Sequence, residues 1–158
     1  MGDALAIAVL NARDFDEKDF ARSHPGGSLG RRLLMYVEDI MHKDKAIPLV
    51  PESALLSDAL VEMTSKGLGM TGVINKSGEL VGVYTDGDLR RTLAERISID
   101  TPISQVLTAD PVTVKPDMLA AELIQLMKKQ KIGGLIVTDR KEVVGALNMQ
   151  DLLRAGVL

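Results

Sequence analysis

Two short stretches of the chain set a polar residue and an aspartate three positions apart, directly after an apolar run. They are Thr85-x-x-Asp88 and Asn148-x-x-Asp151. A carboxylate can accept hydrogen bonds from two neighbouring hydroxyl groups, which selects a ribose diol. The amides at the start of a helix can hold a phosphate. The pattern is therefore suited to a ligand that carries a ribose and a phosphate.

The same pattern also has an explanation that needs no ligand. A threonine at position 85 can cap a helix, while Asp88 reaches back to the Thr85 amide and lies near the positive end of the helix dipole. The residues alone do not decide between a helix cap and a ligand site. The two roles are compatible, so both remain open.

The elements that carry these residues occur twice. LVGVYTDGDLRR (80–91) and VVGALNMQDLLR (143–154) both read as a strand that turns directly into a helix, with a glycine at the same place. A helical pattern and a first hairpin strand precede each stretch. We therefore predict two β-α-β-β-α repeats, at about 39–97 and 106–158, joined by a linker at 98–105. Units this small should pack together in an α+β fold, with any ligand bound where they meet.

Composition argues against several classes of function. The chain has 158 residues and a net charge of −3, which argues weakly against a nucleic-acid partner. It has no cysteine, which excludes disulfides and thiolate chemistry and suits a cytoplasmic protein. No apolar run reaches the length of a membrane span. We expect no nucleic-acid or membrane partner, no metal site and no resident cofactor.

The N-terminal part differs from the repeats. Residues 1–13 read as a short buried helix, and a polar loop follows that contains the sequence SHPGG. Leu33, Val37 and Ile40 then lie on one face of a predicted connecting helix, Ser28–Ile40. Because a chain rarely starts inside a packed helix, we expect this one to be a fragment of a longer protein.

The paired strand, glycine and [Thr/Asn]-x-x-Asp pattern resembles a tandem CBS-domain pair, over about 39–158. This resemblance implies two repeats packed sheet to sheet, with two related clefts for adenosyl or other nucleotide ligands. In that family the aspartate holds ribose hydroxyls, the hydroxyl residue before it contacts sugar or phosphate, and strand backbone holds the base. By this resemblance, the first cleft uses Ile47, Met70, Thr71, Thr85 and Asp88. The second uses Val112, Gly133, Gly134, Asn148 and Asp151.

One of these positions departs from the family pattern. Asn148 stands where the family usually has threonine or serine. If one cleft is occupied, we therefore expect it to be the one built around Asp88.

The remaining motifs resemble another, larger protein. GDALAIAVLNARDF and DFARSHPGGSLGRRLL resemble the end of the sugar isomerase (SIS) domain of arabinose 5-phosphate isomerases, and the stretches at 85–91 and 151–157 match that family too. The resemblance covers the whole chain. It implies that 1–27 is the helical remnant of an α/β SIS domain, followed by a connecting helix at 28–40. The parent enzyme would interconvert D-ribulose 5-phosphate and D-arabinose 5-phosphate for Kdo, and hence for lipopolysaccharide or capsule synthesis, or serve glucitol metabolism.

The resemblance also singles out a catalytic residue. In that family the SHPGG histidine belongs to the active site, which makes His24 the one catalytic residue carried over. Isomerisation through an enediol needs a base with a pKa near neutrality, which suits histidine. Without the resemblance, His24 would read as an exposed loop residue. Because the glycine-rich phosphate loops of the family are missing, we expect this chain to be inactive alone.

Three hypotheses follow for the function. In the first, the pair regulates and assembles the isomerase by binding a nucleotide or a nucleotide-sugar such as CMP-Kdo, while the parent enzyme binds the sugar phosphate. In the second, it is a stand-alone nucleotide-sensing module. In the third, it is a purely structural dimerisation module. We expect a homodimer or homotetramer.

Overall fold

The computed structural model of the protein describes residues 34–158. A short helix, α1 (Val37–Ile40), precedes the first unit, which consists of β1 (Leu49–Pro51), α2 (Leu56–Lys66), β2 (Met70–Ile74), β3 (Leu80–Thr85) and α3 (Asp86–Ala94). β4 (Thr108–Ala109) leads to the second unit: β5 (Thr113–Val114), α4 (Ala120–Gln130), β6 (Gly134–Asp139), β7 (Glu142–Asn148) and α5 (Met149–Arg154). Short 3-10 helices occur at Asp44–Ala46 and Ile103–Gln105. The predicted α+β fold of two β-α-β-β-α repeats is confirmed.

The helices follow the apolar periodicity of the sequence. On α2 the buried positions are Leu56, Ala59 and Met63, and the helix ends at Gly67, whose φ of 71° gives the left-handed C-cap that glycine favours. α4 repeats the arrangement and ends at Lys131 with a φ of 56°. No helix within 34–158 is long and apolar enough to cross a membrane.

Each repeat forms a sheet in which a parallel strand flanks a hairpin. The strand orders are β1-β2-β3-β4 and β5-β6-β7. β4 lies at the start of the second repeat but pairs with β3 of the first, and His42 lies at the start of the first repeat but pairs with Ala146 in β7 of the second. The opening segment of each repeat therefore extends the sheet of the other repeat.

Gly82 and Gly145, the glycines that recur in the two repeats, lie where these opening segments pair with the sheet of the other repeat. A Cβ atom on Gly82 would lie 2.8 Å from the carbonyl oxygen of Thr108 and 2.6 Å from a methyl carbon of Leu107. A Cβ atom on Gly145 would clash with the side chain of Met41 and lie 3.1 Å from the carbonyl oxygen of His42. Both glycines thus leave room for the opening segment of the other repeat.

The two sheets pack against each other through an apolar layer. This layer combines Ile47, Leu68 and Met70 of the first repeat with Ile136 and Ala146 of the second. In each repeat, one further apolar cluster lies between the sheet and the helices of that repeat. Burial of this apolar surface explains why two such small units form one body.

The predicted linker at 98–105 packs on the first repeat. Ile103 is fully buried in that repeat's core. Its amide donates to the Ala54 carbonyl over 2.9 Å, and the Leu56 amide donates to the Thr101 carbonyl over 2.8 Å. The segment therefore holds the start of α2 as well as connecting the repeats.

The predicted connecting helix Ser28–Ile40 is interrupted in the part that the structure describes. Tyr36 is extended, with φ −97° and ψ 160°, and α1 begins only after it. The reason is competition for backbone hydrogen bonds: the Val37 amide donates to the Met118 carbonyl, and the Ala120 amide donates to the Met35 carbonyl, both over 2.8 Å. A continuous helix here is therefore wrong, because this segment pairs with the residues that lead into α4.

Candidate functional site

Thr85 and Asp88 form the capping box at the start of α3. The Asp88 amide donates to Thr85 Oγ1 over 3.3 Å, and the Thr85 amide donates to Asp88 Oδ2 over 2.9 Å. The Thr85 hydroxyl also donates to Oδ2, over 3.1 Å. The reciprocal cap expected from the sequence is confirmed. It fixes the direction in which the carboxylate points.

The second carboxylate oxygen of Asp88 bonds to residues outside the cap. Asp88 is 3% exposed, so its charge needs compensation. Thr108, on β4, donates its hydroxyl hydrogen to Asp88 Oδ1 over 2.9 Å. The Arg91 guanidinium, one turn along α3, also donates to Oδ1. Asp88 is thus a paired, oriented carboxylate.

The equivalent position in the second repeat has different partners. The Asp151 amide donates to Asn148 Oδ1 over 3.0 Å, and the Asn148 amide donates to Asp151 Oδ2 over 2.9 Å. Asp151 Oδ1 lies 2.9 Å from Nε2 of His42. Arg154 is farther away, with its Nη2 atom 3.6 Å from Asp151 Oδ1. A histidine here occupies the place that a threonine occupies in the first repeat.

A cleft of about 760 Å³ opens between the two repeats beside Asp88. It lies where the loops before β2 and β6 meet the starts of α3 and α5. Its walls are formed by residues 67–70, 83, 85–88, 90, 91, 108, 110–112, 131–135 and 148–150. A cleft of this size is typical of sites for small organic ligands.

The cleft carries charges of both signs. Among the described residues that line it, the basic ones are Arg90, Arg91 and Lys131, and the acidic ones are Asp86, Asp88 and Asp110. The Asp88 charge is already met by Arg91. The other basic residues, Arg90 and Lys131, are exposed and can meet an anionic group.

The structure groups the sequence-predicted ligand residues differently from the two sets expected by repeat. Seven of them line the same cleft: Met70, Thr85, Asp88, Val112, Gly133, Gly134 and Asn148. The cause is the packing of the repeats, which brings the start of β2 against the start of β6. A Cβ atom on Gly134 would lie 3.5 Å from the terminal methyl carbon of Met70.

The remaining predicted residues lie elsewhere. Ile47 is buried in the layer between the sheets. Thr71 is fully buried, and its hydroxyl donates to the Gly72 carbonyl over 3.1 Å. Asp151 is 6% exposed and does not belong to the cleft wall. His24 and the segment 1–27 lie outside the described residues.

Several residues at the site were not predicted from the sequence. Arg91 belongs to the DLRR stretch, and its position one turn after Asp88 is a local signal for an ion pair. Thr108 and His42 carry no such signal, because their contacts depend on the exchange of edge segments. Lys131 reaches the cleft because it is the C-cap of α4.

A buried hydrogen-bond chain links the site to the core of the first repeat. The Tyr84 hydroxyl donates to Thr92 Oγ1 over 3.0 Å, and the Thr92 hydroxyl donates to the Asp88 carbonyl over 2.7 Å. Tyr84 is fully buried. Burial raises the pKa of its hydroxyl above the usual value of about 10, and nearby Asp88 raises it further, while the bond to Thr92 lowers it. These two hydrogen bonds anchor the first turn of α3, which carries Asp88.

Comparison with known proteins identifies both the fold and a group of relatives. Over its full length the chain is 54% identical to the arabinose 5-phosphate isomerase KdsD of Pseudomonas aeruginosa and spans 49% of it. It is 47% identical to KdsD of Escherichia coli K12 and spans 48% of that protein. The chain therefore spans about half the length of the curated relatives it matches.

A solved structure shows the same fold at low identity. The CBS domain protein PAE2072 from Pyrobaculum aerophilum, complexed with AMP, matches with a TM-score of 0.68 and 21% identity, over 75% of this chain and 90% of that one. The family model of the CBS domain matches twice, at 37–95 and 103–158. The chain therefore belongs to the CBS-domain family, as a tandem pair of CBS repeats.

Proposed function

We propose that this chain is the regulatory and assembly-forming CBS pair of a D-arabinose 5-phosphate isomerase. The observation that carries the proposal is 54% identity to a protein of that name along the whole chain. Similarity limited to the two repeats would support a CBS pair in any protein. Here the match also includes the segment before the repeats, and we propose that 1–27 is the end of an SIS domain.

We propose further that the cleft beside Asp88 binds a nucleotide or nucleotide-sugar. Asp88 is oriented by the cap at α3, and its Oδ1 atom faces groups that can rearrange: the Thr108 hydroxyl and the exposed Arg91 guanidinium. A carboxylate held in this way can accept bonds from both hydroxyls of a ribose. The similar protein from Pyrobaculum aerophilum is complexed with AMP, which makes an adenine nucleotide one candidate.

The basic residues of the cleft favour an anionic ligand. Arg90, Arg91 and Lys131 line the cleft, and guanidinium groups bind phosphate and carboxylate oxygens in pairs. CMP-Kdo carries both a phosphate and a carboxylate, in addition to a ribose diol. As the activated form of the sugar that the proposed pathway serves, it would act as a feedback signal.

The proposed regulation runs through the segment before the first repeat. Met35 and Val37 bond to the backbone that leads into α4, and His42 bonds to β7. A ligand that favours one arrangement of the repeats would therefore change the position of this segment and, through 28–40, of His24. Such coupling requires different affinities for the two arrangements.

The isomerase activity itself is proposed for the protein that contains this chain and an SIS domain. His24 would act there as a general base on the sugar phosphate. We expect the 158-residue chain alone to be inactive, because it lacks the phosphate-binding loops of that family. An assay for conversion of D-arabinose 5-phosphate checks this, and measurable turnover would contradict it.

Calorimetry tests the binding proposal. We expect CMP-Kdo, AMP or ATP to bind the purified chain, and Asp88→Ala to weaken that binding. Glu95→Ala is a matched control, since Glu95 is an exposed acidic residue at the other end of α3. Binding that is the same in the wild type and in Asp88→Ala would remove Asp88 from the site.

One observation favours the structural alternative. Both carboxylate oxygens of Asp88 are engaged by the protein's own groups, so the residue has a role even without a ligand. Leu93 on α3 and Leu153 on α5 are 62% and 55% exposed, which suits a contact between copies of the chain. A dimerisation module without a ligand would show dimers or tetramers in sedimentation and no binding in calorimetry.

A further inference from the structure

The aspartate of each repeat is held by a residue from the opening segment of the other repeat. Thr108 Oγ1 lies 2.9 Å from Asp88 Oδ1, and His42 Nε2 lies 2.9 Å from Asp151 Oδ1. In both repeats the other oxygen, Oδ2, accepts the amide of the capping residue. The two carboxylates are thus equivalent in the fold, and their difference lies in the residue that meets Oδ1.

On the Asp88 side, that residue lines the cleft together with the carboxylate, whose side chain is 4% exposed between its partners. A hydroxyl can accept a hydrogen bond as well as donate one, so Thr108 can join a ligand's bonding instead of blocking it. Arg91 has a side chain that is 68% exposed, so it can turn toward a ligand.

On the Asp151 side, the equivalent place is filled by an imidazole ring. A carboxylate can only accept, so Nε2 of His42 supplies the hydrogen. The ring comes from an anchored backbone: the His42 amide donates to the Ala146 carbonyl over 2.8 Å, and the Ala146 amide donates to the His42 carbonyl over 3.1 Å. The side chain of Asp151 is 5% exposed and that of Asp88 is 4% exposed, so the two carboxylates differ in their donors and not in their burial.

The cleft reflects this difference between the two carboxylates. Its wall includes residues 148–150 but not Asp151, whereas Asp88 belongs to it. The three residues before Asp151 therefore border the cleft, while the Asp151 carboxylate bonds to His42.

We infer that His42 closes Asp151 to ligands, so that this chain binds one nucleotide, at Asp88, and not two. The inference rests on the proposed nucleotide-binding function. Both carboxylates accept bonds within the protein, so a ribose diol has to take the place of the donor at Oδ1. At Asp88 these donors are a hydroxyl and an exposed guanidinium that line the cleft. At Asp151 the donor is a ring on an anchored backbone, and neither residue belongs to the cleft wall. His42 thereby fills the position beside Asp151 that a ligand would need.

Calorimetric titration with AMP and with CMP-Kdo tests the inference on a matched pair of variants. Asp88→Asn and Asp151→Asn each replace a capping carboxylate by the amide of the same size. We expect wild type to bind one nucleotide per chain and Asp88→Asn to bind about tenfold more weakly or worse, since it loses bonds to a charged acceptor. Asp151→Asn should stay within about twofold of wild type. Circular dichroism verifies that each variant is folded.

His42→Ala supplies a second, independent test. Removing the ring exposes the Asp151 carboxylate, so a second, weaker binding event should appear and raise the stoichiometry toward two. Two nucleotides on wild type, equal losses in the two asparagine variants, or a single event in His42→Ala would each overturn the inference while the proposed function stands. A wild-type chain that binds neither nucleotide would overturn the proposed function and this inference with it.

Discussion

The Thr108 hydroxyl donates a hydrogen bond to the buried carboxylate of Asp88 across 2.9 Å, although the two residues lie 20 positions apart and on opposite sides of the boundary between the repeats. Thr108 reaches Asp88 because β4 extends the sheet of the first repeat. One bond therefore ties together the helix cap, the edge of the sheet and the wall of the cleft.

Thr108→Val should destabilise the protein by about 1.5 kcal/mol, because it removes a donor to a buried charged acceptor while it keeps the shape of the side chain. Urea unfolding measures this loss. Thr113→Val is the control, since Thr113 lies on an exposed position of β5. Equal stability of the two variants would show that the bond contributes nothing to folding.

Gly82→Ala should destabilise the protein by about 1–3 kcal/mol, because the added methyl group has to displace backbone. The new Cβ atom would lie 2.8 Å from the Thr108 carbonyl oxygen. Hydrogen exchange should show that the pairing of β3 with β4 opens more readily. Gly133→Ala is the matched control, since a Cβ atom there would meet nothing within 4 Å; a similar loss in both variants would contradict the explanation.

Gly82 and Thr108 show which features of the structure could be predicted from the sequence. The recurrence of Gly82 as Gly145 and the capping spacing of Thr85 and Asp88 are local patterns, so the repeated unit and its helix starts were predictable. The reason for the glycines was not, because periodicity does not reveal which sheet a two-residue strand such as β4 will join. The partnership of Thr108 with Asp88 depends on that choice.

Long-range contacts that the sequence does not reveal also explain two other differences between prediction and structure. They are the grouping of the ligand residues and the interrupted helix before β1. The predicted ligand residues were divided by repeat, but packing of β2 against β6 places Met70 beside Gly134 and merges most of them into one cleft. The apolar pattern around Val37 favoured a continuous helix. Backbone bonds to Met118 and Ala120 outweighed that local preference.

Arg91→Ala should weaken binding of CMP-Kdo by roughly tenfold and reduce its dependence on salt, because a charge pair near the ligand is lost. Arg154→Ala removes the equivalent arginine beside Asp151 and should leave the affinity unchanged, since Arg154 does not line the cleft. Calorimetry at low and high salt measures both variants. A loss in Arg154→Ala as large as in Arg91→Ala would contradict this assignment of the ligand to the Asp88 side.

Tyr84→Phe should change how stability depends on pH in the alkaline range. At pH 8 the variant should be about 1 kcal/mol less stable than wild type, because the bond to Thr92 is lost. Burial raises the pKa of Tyr84 in the folded protein. Above pH of about 10, the unfolded chain therefore releases this proton while the folded one keeps it.

Wild type consequently loses stability from this group as the pH rises from about 10 toward the raised pKa, by about 1.4 kcal/mol for each pH unit between the two pKa values. Tyr84→Phe lacks this loss, so the stability difference between the two proteins should shrink or reverse between pH 10 and 11. Urea unfolding at pH 8, 9.5, 10.5 and 11 measures it, with Tyr36→Phe as the control for an exposed tyrosine. A stability difference that stays constant with pH would mean that the Tyr84 hydroxyl ionises equally in both states, and that the buried chain from Tyr84 through Thr92 to Asp88 does not hold the proton.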